Sequence, residues 1–196
     1  MRPHTLDLLI ADISGHGIGE AILLSNFMSM VRSLELLARA PAEAANLANK
    51  TFSRTVADSG KYVTGVFASI DLEAKTLVYT TMGHYAPILC RAGLGEVLQR
   101  TKGLPAGLWE APGDYEQTTV ALEPGDALLF FTDGLIEARS PTGQPLGVGG
   151  LVAMLDAARG SSAQALMDSL QASWLDFVGS GPLEDDTSVI LVKLQA

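Results

Sequence analysis

Three short segments of this chain place carboxylates where they can do chemistry: one around Asp12, one around Asp133, and the pair Asp185-Asp186. Asp12 sits near the end of an apolar run at residues 6–13 and is followed by Ser14-Gly15-His16-Gly17. Asp133 repeats the design, with apolar residues 127–131 leading into Thr132-Asp133-Gly134, and Asp185-Asp186 stands just before the last extended run. Carboxylates at strand ends, each beside a turn, can converge on one rim of a sheet. Hard divalent cations such as Mg²⁺ and Mn²⁺ take oxygen ligands and keep several waters, so few carboxylates per ion suffice. Glycines beside them let the backbone approach closely enough for a carbonyl to join the shell. Taken singly, an Asp-Gly pair is also an ordinary turn, and Asp185-Asp186 reads equally as a solvated helix-to-strand connection. The combination is what points to metal chemistry.

Two histidines lie close to these segments. His16, four residues past Asp12, is placed to bind a water or donate a proton, whereas His84 reads as a hydrogen-bonding residue that shapes the wall of a site. The only cysteine, Cys90, lies in the apolar pattern Ile88-Leu89-Cys90 and reads as inert core. One cysteine excludes an internal disulfide framework and a Cys-rich metal centre, which suits a reducing compartment.

The elements that must carry these residues follow from the hydrophobic pattern. Residues 6–13 read as a strand; from residue 19 to 40 the spacing of Leu23, Phe27, Met30, Val31, Leu34 and Leu37 turns helical. Pro41 opens a second helix whose inner face holds Ala45, Ala48, Phe52 and Val56. Residues 62–71 and 76–82 form a hairpin around Glu73-Ala74-Lys75, and 87–91 with 96–100 another around residues 92–95. A loop at 103–113 precedes strands 115–122 and 127–132, joined by Glu123-Pro124-Gly125-Asp126. After a loop at 140–150 come a helix at 151–158 and a longer one announced by a Ser161/Gln164 capping box, with the stripe Ala163, Leu166, Met167, Leu170, Trp174, Phe177 and Val178. Residues 187–194 close the chain as a strand. Strands joined by tight turns pair antiparallel, and paired helices cover sheets from outside, so the class is α+β and the 196 residues read as one domain.

The bulk properties exclude more than they assign. Lys plus Arg number 13 against 22 Asp plus Glu, a net charge of −9, which would repel a phosphate backbone and argues against nucleic acid as a partner. No apolar run approaches the roughly 20 residues of a membrane span, and the N-terminus has no signal-peptide pattern. The expectation is a cytoplasmic protein.

In chain order, Asp12-Ile13-Ser14-Gly15-His16-Gly17, Met82-Gly83-His84-Tyr85-Ala86-Pro87, Leu122-Glu123-Pro124-Gly125-Asp126, Phe131-Thr132-Asp133-Gly134-Leu135-Ile136-Glu137-Ala138 and Asp185-Asp186-Thr187-Ser188 together resemble the bacterial sporulation stage II E type phosphatases, a branch of the metal-dependent type 2C, or PPM, protein phosphatases. The resemblance implies a four-layer α-β-β-α sandwich with two Mn²⁺ or Mg²⁺ ions at one edge of its sheets. It further implies that Asp12 bridges the ions with help from the Ile13 carbonyl, that Asp133 and Asp185 are ligands to one of them, and that Asp186 matches a neighbouring position. Catalytic roles would then fall to Asp12, Asp133, Asp185 and, from its place in the turn, His16. No side chain is the nucleophile in such a scheme; a metal-activated water attacks a phosphoserine or phosphothreonine. The substrate class implied is a phosphorylated regulatory protein of the anti-sigma-factor antagonist type.

One departure from the family pattern bears on these expectations. Family members carry a Gly-Gly-Asp-containing strand upstream of the first aspartate, and nothing before Met1 supplies it; Asp7, inside the strand leading to Asp12, cannot substitute. The expectation is a domain lacking its N-terminal strand, with an incomplete second metal site, low activity, and an unpaired edge that invites a homodimer. Two other readings fit the same residues. One is a catalytically weak PPM-like domain acting as a regulatory binding module, and the other is a metal-dependent hydrolase of small phosphoesters.

Overall fold

The computed structural model describes residues 4–57, 59–109, 114–158, 162–181, 183 and 185–195. Its contacts divide the chain into two compact units, one of residues 1–85 and 100–122, the other of 86–99 and 123–196. Each is an antiparallel sheet with its own helices, so the class is α+β.

In the first unit the sheet order is β1-β2-β3-β6, with β1 Thr5–Ile13, β2 Val63–Asp71, β3 Thr76–Met82 and β6 Thr118–Ala121. Strand β1 pairs with β2 along its whole length, from Thr5 opposite Asp71 to Ile13 opposite Val63. Helix α1, Ile18–Ser33, packs against β1, and α2, Pro41–Thr55, against β2 and β3. Between helices and sheet lie Phe27, Val31, Leu36, Ala45, Ala48, Phe52, Val63 and Phe67. Phe27 and Phe52 meet edge to face at 5.1 Å, an arrangement that adds about 1 kcal/mol to the area they bury. Pro41 stands at the first turn of α2, as its missing N–H allows.

The helical pattern at 19–40 is not one helix. Helix α1 stops at Ser33, Glu35 takes a left-handed backbone (φ 50°), and a single 3₁₀ turn follows at Leu36–Ala38. That break rotates the stripe. Leu36 becomes fully buried, while Leu34, expected inside, is left 37% exposed.

In the second unit the order is β5-β4-β7-β8, with β4 Ile88–Arg91, β5 Leu94–Val97, β7 Ala127–Phe131 and β8 Val189–Lys193. The β4–β5 turn is two residues long, so β5 begins earlier than the expected strand at 96. Among the described residues this unit has helices α3 Asp133–Glu137, α4 Gly147–Ala157 and α5 Ala163–Val178. Helix α3, where the sequence pattern shows only a turn, is a five-residue helix, and α4 starts four residues before its expected position. Their core holds Ile88, Leu129, Phe131, Leu135, Leu151, Leu155, Leu170 and Trp174. The cap of α5 is Ser162, whose hydroxyl accepts from the Ala165 N–H at 3.1 Å, and the Gln164 amide donates to Asp168 at 2.7 Å. Ser161, expected as the cap, lies outside the described residues.

Candidate active site

The first unit carries Asp12, Ile13, His16 and His84. Asp12 is half-buried at the penultimate position of β1 and lies opposite Thr64 on β2. The Thr64 hydroxyl in turn meets His84 Nδ1 at 2.8 Å, and His84 is only 3% exposed. His84 therefore stands just past the end of β3 as a buried hydrogen-bonding group one strand away from Asp12. Beyond Ile13 the chain must reverse from strand to helix within four residues. Gly15 and Gly17 do this with φ of 89° and 119°, values that a side chain rarely adopts.

The reversal is tied down from the segment leading into β2. Ser14 N–H donates to the Tyr62 carbonyl at 2.9 Å, and Tyr62 N–H donates back to the Ser14 hydroxyl at 3.1 Å. Lys61 Nζ reaches Glu20 Oε1 on the first turn of α1 at 2.6 Å. The hydrogen bond from Lys61 holds the Glu20 carboxyl below its ordinary range. His16 is exposed in this turn.

The second unit carries Asp133, Asp185 and Asp186. The end of β7 is stapled to the start of β8: Thr132 N–H donates to the Ser188 carbonyl at 3.1 Å, and Ser188 N–H donates to the Thr132 hydroxyl at 2.9 Å. This places Asp133, first residue of α3, beside the segment of Asp185 and Asp186. Contact between the two is closest at Gly134, where an added Cβ would lie 2.4 Å from the Asp186 carbonyl oxygen. Only glycine fits. Asp133 Oδ1 accepts from Gly134 N–H at 3.1 Å and Asp185 Oδ1 from Asp186 N–H at 2.8 Å, short-range bonds that fix one oxygen of each carboxylate. Helix α3 is held from behind by Trp174 of α5, whose indole N–H donates to the Leu135 carbonyl at 3.0 Å.

The donor chemistry can be tested against a hard cation. Next to Gly134 the Thr187 hydroxyl is buried without a hydrogen-bond partner among the described residues, a polar atom that ordinarily costs stability unless something occupies it. Every donor group here is oxygen: Asp133, Asp185 and Asp186 carboxylates and the Thr187 hydroxyl. Such a set suits Mg²⁺ or Mn²⁺ and does not suit a thiophilic metal. Within either unit, among the described residues, no three His, Cys, Asp or Glu side chains come together as a complete metal cage. Mg²⁺ is usually bound through one or two carboxylates with the remaining positions left to water and phosphate, so an incomplete cage is no obstacle. Cys90 takes no part; it is buried, and burial pushes its thiol above the ordinary value.

The structure thus brings the expected residues together as two groups, Asp12 with Ile13 and His16 in one unit, and Asp133 with Asp185 and Asp186 in the other. Sequence reasoning missed Thr64, Lys61, Thr132 and Thr187. A polar residue inside the apolar strand at 63–71 could have flagged Thr64. Nothing in the sequence pairs Lys61 with Glu20, or Thr132 with Ser188, across gaps of about 40 and 56 residues.

Residues 2–195 match the family model described as stage II sporulation protein E (SpoIIE). Over 193 residues, the chain is 26% identical to the phosphoserine phosphatase RsbU of Bacillus subtilis, a match that covers 96% of this chain and 56% of RsbU. The chain thus spans about half the length of that curated relative. The crystal structure of the RsbU and RsbW domains of Rv1364c from Mycobacterium tuberculosis superposes with a TM-score of 0.82 at 24% identity, covering 98% of this chain and 54% of that one. A structure of RsbX in complex with magnesium superposes with a TM-score of 0.70 at 19% identity, covering 100% of this chain and 84% of that one. No helix among the described residues is long and apolar enough to cross a membrane. With a family model matched along nearly its whole length and the aspartate-bearing strand ends in place, the chain belongs to the stage II sporulation protein E family.

Proposed function

We propose that residues 1–196 act as one catalytic domain, a metal-dependent phosphatase that removes phosphate from phosphoserine or phosphothreonine on a regulatory protein of the anti-sigma-factor antagonist type. Membership in the family, the likeness to a phosphoserine phosphatase, and a magnesium-bound structure of similar fold support the reading. The observation that carries it is local. The Thr132–Ser188 staple and the Gly134 contact hold Asp133 against Asp185-Asp186 beside an unpartnered buried hydroxyl, an all-oxygen grouping with no side-chain nucleophile.

In this proposal Asp12 and the Ile13 carbonyl in the first unit, and Asp133, Asp185 and Asp186 in the second, are the oxygen ligands that would hold Mn²⁺ or Mg²⁺. When bound, the metal supplies an activated water and offsets charge on the phosphoryl oxygens. The chain's own residues do the rest. Gly134 N–H and Asp186 N–H each fix one oxygen of Asp133 and of Asp185, leaving the other oxygen of each as the donor to an ion. Thr64, opposite Asp12 on β2, and the buried His84 just past β3 form a hydrogen-bonded pair beside it. His16, exposed on the turn, is the residue placed to give a proton to the departing serine or threonine oxygen.

The test is hydrolysis of a phosphoserine peptide and of p-nitrophenyl phosphate with Mn²⁺. Asp133→Asn keeps the size and the Gly134 contact but removes the charge. It should lower kcat on the order of 100-fold or more while thermal unfolding stays close to wild type. Turnover that survives either that substitution or excess chelator would sink the reading.

A further inference from the structure

We infer that Lys61 is a positioning residue, locking the turn at residues 14–17 so that the Ile13 carbonyl keeps its aim; the inference rests on the phosphatase reading above. The Ile13 carbonyl and the Ser14 N–H belong to one planar peptide unit. Whatever fixes that N–H also fixes the direction of the carbonyl. The N–H is held by the Tyr62 carbonyl at 2.9 Å, and the Ser14 hydroxyl by Tyr62 N–H at 3.1 Å. Lys61, the residue before Tyr62, closes the arrangement. Its ammonium lies 2.6 Å from Glu20 Oε1 and 3.5 Å from the Ser14 carbonyl oxygen, so it links the turn to the first turn of helix α1.

Three features show that the ammonium is part of the turn and not a loose surface charge. Lys61 and Glu20 side chains are 33% and 18% exposed, a setting in which an ion pair is screened less than on an open surface. A Cβ added at Gly15 would meet Lys61 Nζ at 3.0 Å, so the ammonium lies directly across the glycine that makes the reversal. Helix α1 has Gly17 as its N-cap, which offers no side-chain oxygen, and the pair from Glu20 to Lys61 is what fastens this helix start to the β2 side. Both residues act on the turn through the backbone of Ser14 and the start of α1.

Lys61→Met keeps the length and the apolar stem, and Glu20→Gln keeps the shape of its partner. Mn²⁺ affinity would be measured by titration calorimetry without substrate, alongside thermal unfolding. Lys61→Met should weaken Mn²⁺ binding about tenfold, the loss typical of removing a group that orients a metal ligand. Lys61→Arg should recover part of it, and the double variant should bind no more weakly than Lys61→Met alone, because both residues act through one pair. Hydrogen exchange at the amides of residues 15–17 gives a second readout in metal-free protein: it should accelerate in Glu20→Gln, a variant whose folding does not depend on Lys61→Met surviving. Unchanged Mn²⁺ affinity in a folded Lys61→Met, with KM for the phosphopeptide raised instead, would make Lys61 a substrate contact and overturn the inference, as would unchanged exchange in Glu20→Gln. Wild-type protein that neither binds Mn²⁺ nor hydrolyses the phosphopeptide would overturn the phosphatase reading, and this inference with it.

Discussion

At the scale of single residues, the tightest constraint on the candidate site is the absence of a side chain. Gly134 lies in helix α3 with its Cα facing the Asp186 backbone, and a methyl there would sit 2.4 Å from the Asp186 oxygen and 3.1 Å from its carbon. A backbone carbonyl cannot rotate away as a long side chain can. Gly134→Ala must therefore separate the Asp133 segment from the Asp185-Asp186 segment. The expected cost is about 1–3 kcal/mol of stability, as for other overpacked sites, read as a lower unfolding midpoint. If Asp133 and Asp185 are the ligands proposed, turnover should fall further than stability does, at least tenfold at a temperature where the variant is folded, because the two carboxylates shift by a sizeable fraction of an ångström. A variant destabilised yet fully active would show that the close approach serves packing alone. Gly134 was legible in the sequence only as a turn residue following Asp133. Its reason, a contact across 52 positions, needed the pairing of β7 with β8. The same limit hid Thr187, which in the sequence is one more threonine at the start of a strand and in the structure is a buried hydroxyl with no partner among the described residues.

At the scale of elements, strands and the longest helices were legible because their burial repeats with the period of the element. Residues 76–82, 127–131 and 163–178 sit where the pattern of Val, Leu, Phe and Trp places them. The misses fall where tertiary contacts outweigh local pattern: the break at Glu35, the two-residue turn into β5, and α3, too short for a helical period to show. One local motif has a role that only pairing reveals. Glu123-Pro124-Gly125-Asp126 reads as a turn, but Asp126 is 1% exposed and takes hydrogen bonds from Arg91 on β4 at 2.6 and 3.0 Å and from Glu123 N–H at 2.8 Å. It therefore ties the start of β7 to its neighbour strand. Burial pushes the Asp126 carboxyl up, but the bonds from Arg91 and from the turn outweigh it, and the carboxyl ends below its ordinary value. A carboxyl lowered in the folded state contributes stability that is complete above the unfolded value of about 4 and disappears as pH falls through the folded one. Asp126→Asn should accordingly cost about 2–3 kcal/mol at pH 7, less than a fully buried pair because Arg91 keeps contact with water. At a pH well below the unfolded value of about 4 the gap to wild type should narrow, since the wild-type carboxyl is then also becoming neutral. Urea unfolding at both pH values measures this. An equal gap at the two would mean the pair acts through shape and not charge.

At the scale of the whole molecule, the net charge of −9 creates an ambiguity that any metal experiment must resolve. An acidic protein attracts divalent cations to its surface without possessing a site, and such screening alone relieves self-repulsion and raises stability. Site binding differs in two respects: it saturates, and it depends on particular carboxylates. A cation that binds only the folded state stabilises it by RT ln(1 + [L]/Kd), about 2.7 kcal/mol at a hundred times Kd. For a chain of 196 residues that is a rise in the unfolding midpoint of about 5–10 °C. The expected result is a saturating rise of this order with Mn²⁺ at fixed ionic strength, reversed by chelator and absent in Asp133→Asn. Asp176→Asn supplies the comparison, because Asp176 is an exposed residue of α5 outside the three aspartate segments and its loss changes the net charge by the same single unit. If Asp176→Asn loses as much of the rise as Asp133→Asn does, the stabilisation belongs to the acidic surface and the aspartate strand ends hold no ion. If only Asp133→Asn loses it, the charge of the whole molecule is a background against which one group of oxygens acts as a site.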